Sequence, residues 1–139
     1  MKKLSNYFLG ALILGFAGTQ YWGARAELSP EEVQRKVSRG EAVLIDVRES
    51  DEVREEYIQT AWWVPLSQLE SQPENLIKKL PKEIWDKEIY TYCRSGMRSG
   101  KARKILQKFG FKKVFNAGAI RSLKKSSLPI SKGLPNCCG

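Results

Sequence analysis

The chain has 139 residues with a formal net charge of +9, three cysteines and no histidine. Its length suggests one domain, and the lack of histidine excludes cysteine–histidine nucleophile pairs and most zinc sites. The odd number of cysteines leaves at least one thiol without a partner in the chain.

Residues 1–26 have the layout of a secretory signal peptide. Two lysines precede an apolar stretch at residues 7–18, and the segment ends in the small-x-small pattern Ala24-Arg25-Ala26. The apolar stretch is shorter than the roughly 20 residues that a membrane span needs. We therefore predict cleavage near Ala26 and a periplasmic or otherwise exported protein with no stable membrane association. An uncleaved membrane anchor is the alternative.

The predicted mature chain, residues 27–139, is also basic. It keeps 21 basic and 15 acidic residues, which gives a net charge of +6. A basic surface favours anionic ligands. We expect a small anionic substrate and no nucleic-acid partner, because the protein is predicted to be exported.

The predicted domain spans residues 27–125 and begins with a helix. Ser29 suits the position before the first turn, Pro30 suits the first helical position, and Glu32 completes a capping box. Gly40 suits the end of this helix, since glycine adopts the left-handed conformation common there.

Short apolar runs then alternate with helix-compatible segments. The run at 42–47 (AVLIDV) is continuous, as expected of a strand buried on both faces. The other predicted elements are a helical segment at 50–57, strands at 61–65, at 89–92 and from Val114, a short helix at 74–80, and a helix with an apolar stripe at Ala102, Ile105, Leu106 and Phe109 that ends at Gly110. This alternation predicts an α/β fold whose central, mostly parallel sheet is covered by helices on both faces.

Residues 126–139 are rich in Ser, Pro, Gly and Lys, and we predict a flexible tail. The tail contains Cys137 and Cys138. They are candidates for a resolving thiol, a vicinal disulfide, a soft-metal ligand pair, a link between two chains, or no role in turnover.

The mid-chain cysteine lies where chemistry is expected. Cys93 follows a predicted strand and immediately precedes a helix, and ligands of open α/β sheets gather at the carboxyl ends of the strands. Unpaired amides at a helix N-terminus, together with Arg94 and Arg98, favour a thiolate and should lower the pKa of Cys93. Gly96 allows successive amides to point inward. A buried structural cysteine is the alternative.

Four stretches resemble the rhodanese sulfurtransferase family. They are the loop at 93–99 (CRSGMRS), the strand at 42–49 (AVLIDVRE), the stretch at 61–66 (AWWVPL) and the closing segment at 111–120 (FKKVFNAGAI). The resemblance covers nearly the whole predicted mature chain. With the leader and one short domain, the chain is similar to the exported single-domain rhodaneses of the phage-shock-protein E type.

The resemblance implies a single rhodanese-type domain that relays sulfur. Cys93 would attack the outer sulfur of an anionic donor such as thiosulfate, become a persulfide, and pass the sulfur to cyanide or a thiol. Arg98 would orient the loop and offset charge, and Arg94 would attract the donor. The substrate-binding loop would comprise Arg94, Ser95, Gly96, Met97, Arg98 and Ser99. No cofactor or metal is implied.

The resemblance also implies that Asp46 and Arg48 support the loop from the neighbouring strand end; a surface ion pair that caps the strand is the alternative. Several positions depart from the family pattern: Tyr57 stands where a histidine is usual, and Thr60 where a glycine is usual. The closing turn is Ala117-Gly118-Ala119 in place of a run of glycines, and residues 121–123 lack the usual aromatic.

Three other functions stay open. Cysteine phosphatases use five residues between the cysteine and the arginine, whereas four separate Cys93 from Arg98, so this spacing favours sulfur transfer. A sulfur-carrier or binding module would hold the persulfide and turn over slowly. A thiol-redox protein would pair Cys93 with Cys137 or Cys138.

Overall fold

The computed structural model describes residues 25–135. Most of the predicted signal peptide, and the two tail cysteines Cys137 and Cys138, lie outside the described residues. Within residues 25–135, none of the helices has the length and apolar character needed to cross a bilayer.

Six helices and six strands are found in the described residues. The helices are α1 Pro30–Ser38, α2 Ser50–Glu55, α3 Leu66–Ser71, α4 Pro73–Lys79, α5 Met97–Lys108 and α6 Ile120–Leu123, with a 3-10 helix at Lys82–Asp86. The strands are β1 Ala42–Asp46, β2 Tyr57–Ile58, β3 Ala61–Trp63, β4 Glu88–Cys93, β5 Val114–Ala119 and β6 Ile130–Ser131.

The main sheet has four parallel strands in the order β3-β1-β4-β5, so β4 is a central strand. Helices α3 to α5 cover one face, where Ile45, Leu69 and Leu106 are buried together. Helices α1 and α6 cover the other, around Val33 and Leu123. The predicted α/β architecture is confirmed. It could be predicted because parallel strands buried on both faces appear in the sequence as continuous apolar runs.

The predicted start of α1 is also confirmed. The Ser29 hydroxyl accepts a hydrogen bond from the Glu32 amide at 3.2 Å, and Pro30 occupies the first helical position. This bond satisfies an amide that the helix itself leaves unpaired. Gly40 and Gly110 follow α1 and α5 with φ values of 70° and 99°.

Three local features of the structure differ from the sequence-based expectations. The helix predicted at 50–57 ends at Glu55, because Tyr57–Ile58 form β2 and pair antiparallel with β6. The same pairing shows that residues near 130 are not a free tail, and Leu128 is buried against the second face of the sheet. Helix α3 was not predicted, since a six-residue segment with Leu66 and Leu69 buried carries too little periodicity to recognise.

A bulge interrupts the pairing of β4 with β5. Thr91 lies opposite Asn116 and Tyr92 lies opposite Gly118, so Ala117 is an extra residue on β5. A bulge bends its strand and changes the direction of the neighbouring side chains. This one lies beside the carboxyl end of β4, where Cys93 is found.

Candidate active site

The fold places Cys93 at the carboxyl end of β4, with the loop 94–96 leading directly into α5. Gly96 precedes the first turn of the helix and has a φ of 94°. A residue with a Cβ adopts this left-handed conformation only at a cost of roughly 1–2 kcal/mol. The expectation that glycine bends the loop here is therefore confirmed.

The sulfur of Cys93 is enclosed by hydrogen-bond donors. Cys93 has no solvent-exposed surface and is a free thiol within the described residues. The Gly96 amide donates to its Sγ at 3.0 Å, and the Ser99 hydroxyl lies 3.5 Å from the same atom. Burial fits the structural alternative, but a cysteine that only fills space needs no such donors.

These donors lower the pKa of Cys93 below its ordinary value. Burial is the largest single influence and opposes the shift, because it disfavours a charged thiolate. Hydrogen bonds from the Ser99 side chain and from the amides of Ser99, Ser95 and Gly96 together outweigh it. A thiolate is the nucleophilic form of cysteine, so the site favours attack by Cys93.

From the sequence, we expected Arg94 and Arg98 to contribute to the lower pKa of Cys93. The structure corrects this expectation for Arg98. The Arg98 guanidinium donates two hydrogen bonds to Glu52 of α2, at 2.6 Å and 2.7 Å. Its charge is therefore largely neutralised by a carboxylate, and the pKa of Glu52 is lowered by these bonds. Arg98 therefore ties α5 to α2. The neutral donors around the sulfur provide most of the stabilisation of the Cys93 thiolate.

Arg94 and Ser95 line a surface cleft of about 850 Å³ next to the loop. Arg121 and Lys124 of the α6 region contribute further positive charge, while α2 contributes Glu52, Glu55 and other acidic residues to the wall. Lys124 is paired with Glu56 at 2.6 Å. Arg94 and Arg121 are exposed and form no ion pair in the part of the chain that the structure describes.

Met97 occupies the first position of α5 and is half-exposed, whereas Ser99 is fully buried. Of the predicted loop residues, Ser95, Gly96 and Ser99 supply donors to the Cys93 sulfur, whereas the Arg94 side chain lines the cleft and that of Arg98 binds Glu52. Which of them contact substrate stays a prediction.

Asp46 and Arg48 form a buried ion pair at the end of β1, not the surface pair that was the alternative. Their exposed fractions are 1% and 3%, and the Arg48 guanidinium donates to the Asp46 carboxylate at 2.6 Å. The Tyr92 hydroxyl donates to the same carboxylate at 2.7 Å. Because Tyr92 precedes Cys93, this network ties the end of β1 to the end of β4. That Asp46 and Arg48 support the loop stays a prediction.

Sequence reasoning missed three contributors to the site. Asn116 accepts a hydrogen bond from Ser99 and donates one to Gly96, Glu52 holds Arg98, and Arg121 lines the cleft. Each lies far along the chain from the loop that it serves. The segment 111–120 was recognised only as the closing strand. No local pattern indicates which of its residues contacts the loop around Cys93.

Comparison with known proteins places this geometry in a family. The model of the Rhodanese-like domain matches residues 29–120. A putative mitochondrial thiosulfate sulfurtransferase of Schizosaccharomyces pombe is 38% identical over 80 residues, which are 53% of this chain and 56% of that protein. The chain thus matches little more than half the length of that relative.

Two further proteins match over most of their length. Thiosulfate sulfurtransferase PspE of Escherichia coli is 30% identical over 89 residues, covering 64% of this chain and 78% of PspE. The structure of the human single-domain sulfurtransferase TSTD1 is 28% identical, with a TM-score of 0.59, over 74% of this chain and 99% of that one.

Replacing Ser99 by alanine tests the source of the low thiol pKa. Because a hydrogen bond donated to sulfur stabilises the thiolate over the thiol, Ser99→Ala should raise the pKa of Cys93. The thiolate then forms at higher pH, which moves the midpoint of its ultraviolet absorbance upward. The titration is made in a Cys137→Ser/Cys138→Ser background, with the exposed Ser71→Ala as control. An unchanged midpoint would contradict the assignment.

Replacing Arg48 by alanine tests the buried pair. Removing one partner leaves the Asp46 carboxylate buried without its counter-charge, which should lower the free energy of unfolding by about 3–5 kcal/mol. Arg39→Ala is the matched control, because Arg39 is exposed and lies 4.0 Å from Glu41; it should cost about 0–1 kcal/mol. Urea denaturation measures both, and equal effects would show that the pair is not a buried support.

Proposed function

The chain belongs to the rhodanese-like family, and on that premise we propose that it is a thiosulfate sulfurtransferase acting through a persulfide on Cys93. The observation that carries this proposal is the buried sulfur, which lies among amide and hydroxyl donors beside a cleft with two exposed arginines. The PspE and S. pombe relatives named above carry the same activity in their names.

The first half-reaction uses the stabilised thiolate. Cys93 Sγ attacks the sulfane sulfur of thiosulfate, a new sulfur–sulfur bond forms, and the bond within thiosulfate breaks so that its electron pair leaves with sulfite. One negative charge stays on the outer sulfur of the persulfide. The donors around Cys93 suit this charge because buried anions need hydrogen bonds.

The second half-reaction returns the enzyme to its starting state. A thiophilic acceptor, cyanide or a thiolate, attacks the outer sulfur, and the electron pair of the persulfide bond returns to Cys93. With cyanide the product is thiocyanate. The chemistry needs neither a proton shuttle nor a metal, because the Cys93 thiolate is the attacking group in the first half-reaction and the leaving group in the second.

Access to the sulfur is set by the loop. Because Cys93 has no exposed surface, the donor must enter past residues 94–96. Arg94 and Arg121 are exposed on the wall of this cleft and can attract a dianion, because neither forms an ion pair within residues 25–135. Asp51 and Glu55 on the same cleft carry the opposite charge, so the attraction is local to the two arginines.

The proposal also includes export. The basic start, the apolar stretch at 7–18 and the Ala24-Arg25-Ala26 pattern support it. N-terminal sequencing of the protein recovered from its native cell envelope should give Glu27 first. A chain that keeps Met1 and stays in the cytoplasm would refute this part of the proposal.

Steady-state turnover separates an enzyme from a sulfur carrier. With thiosulfate and cyanide in excess, sulfite and thiocyanate should accumulate together through many turnovers per chain, and Cys93→Ala should form neither. One equivalent of sulfite per chain with no further turnover would instead identify a carrier.

Replacing Arg94 by glutamine tests the attraction of the donor. Loss of one exposed charge should raise the KM for thiosulfate about fivefold, equivalent to roughly 1 kcal/mol, with a smaller effect on kcat. The effect should shrink at high salt, because exposed charges are screened. Lys78→Gln on α4 is the control for a change in net charge. A KM equal to that of the control would exclude Arg94 from donor binding.

A further inference from the structure

Asn116 is a buried polar residue on β5 that the proposed chemistry has not yet used. Its side chain is 1% exposed and lies just before the bulge at Ala117. Among its side-chain hydrogen bonds, three matter here. Its Oδ1 accepts from the Ser99 hydroxyl at 2.7 Å and from the Gly118 amide at 2.9 Å, and its Nδ2 donates to the Gly96 carbonyl at 2.9 Å.

The partners fix the orientation of the Asn116 amide. The Gly118 N–H can only donate and the Gly96 carbonyl can only accept. A flipped amide would set donor against donor at Gly118 and acceptor against acceptor at Gly96. The side chain therefore has a single satisfied arrangement, as a residue that sets the position of others requires.

Both loop contacts of Asn116 lead to the Cys93 sulfur. Gly96 is held by its carbonyl on Asn116 while its amide donates to Sγ at 3.0 Å. The Ser99 hydroxyl has one proton and two neighbouring acceptors, Asn116 Oδ1 at 2.7 Å and Cys93 Sγ at 3.5 Å. Asn116 thus keeps the hydroxyl next to the sulfur, ready to turn towards a thiolate.

Asn116 is itself anchored from the start of the domain. Its backbone amide donates to the Glu27 carboxylate at 2.6 Å, and the Glu27 backbone nitrogen donates to the Asn116 carbonyl at 2.8 Å. If cleavage makes Glu27 the first residue, this nitrogen is an ammonium and still a donor. Arg103 of α5 pairs with the same Glu27 side chain at 3.2 Å. The anchor joins β5 to the helix that follows the loop.

We propose that Asn116 is a positioning residue for sulfur transfer, holding the Gly96 peptide and the Ser99 hydroxyl against the Cys93 sulfur. The proposal rests on the proposed function but concerns a residue that touches neither donor nor acceptor. It acts through Gly96 and Ser99, so its effect appears in the ionisation of Cys93 as well as in the rate.

Asn116→Ala removes all three bonds and is compared with Asn75→Ala, an exposed asparagine on α4. The rate of persulfide formation from thiosulfate should fall about 10- to 100-fold, because the Gly96 amide and the Ser99 hydroxyl lose the contacts that hold them against the charged sulfur and their own bonds to it weaken. The midpoint of Cys93 thiolate absorbance should also move to higher pH. A folded variant with both quantities at the control's values would overturn the proposal, as would a rate loss explained by the unfolded fraction alone.

The charges around the thiol are unchanged in this variant. Arg98 of α5 interacts with Cys93 electrostatically and is paired with Glu52 of α2, and Glu49, the residue before α2, also interacts with Arg98. A shift of the midpoint therefore reports hydrogen bonding. The thiolate absorbance is measured without any sulfur donor. If the wild type does not react with thiosulfate, the proposed function is refuted, and the absorbance midpoint still decides whether Asn116 positions the donors to Cys93.

Asn116→Asp serves if the alanine variant does not fold. The carboxyl in its protonated form can donate to Gly96 and accept from Ser99 and Gly118, as the amide does. On ionisation it loses the donor and adds charge beside the thiolate. Persulfide formation should rise with pH in the wild type but pass through a maximum and fall in this variant. A profile parallel to that of the wild type would contradict the proposal.

Discussion

The main physical constraint on this site is that the ionisable sulfur of Cys93 is buried. A thiolate removed from water is strongly disfavoured unless donors replace the lost hydration. At Cys93 those donors are the Gly96 amide at 3.0 Å, further loop amides and the Ser99 hydroxyl. Neutral amide and hydroxyl donors of this kind can stabilise a thiolate and a persulfide alike, because each carries one negative charge.

Other parts of the domain hold these donors in place around the sulfur. Parallel strands bring β1 and β5 to either side of β4, so the Asp46–Arg48 pair fixes one flank and Asn116 the other. Glu52 holds Arg98 and thereby ties α5 to α2. A chain without histidine can thus lower the pKa of a cysteine with fixed hydrogen-bond donors in place of a general base. The arginines at the cleft remain available to the anionic donor that we propose.

Much of this could be predicted from local sequence, and the remainder could not for a physical reason. The AVLIDV run, the Ser29 cap and the place of Cys93 between a strand and a helix are signals carried by neighbouring residues, and the structure confirms these three placements. The nucleophilic role of Cys93 stays a prediction. Glu52 with Arg98 and Asn116 with Gly96 are separated by 46 and 20 residues. Their contacts exist only once the sheet order and the β5 bulge are set. The two-residue strands β2 and β6 are too short to show any period.

The most direct test of the account is the intact mass of the reduced protein before and after thiosulfate, followed by peptide mapping. The account predicts a gain of one sulfur atom, located on Cys93, which is lost again on addition of cyanide and is absent from Cys93→Ala. A protein that gains no sulfur while Cys93 is free and reduced, or that carries it on Cys137 or Cys138 instead, would contradict the account.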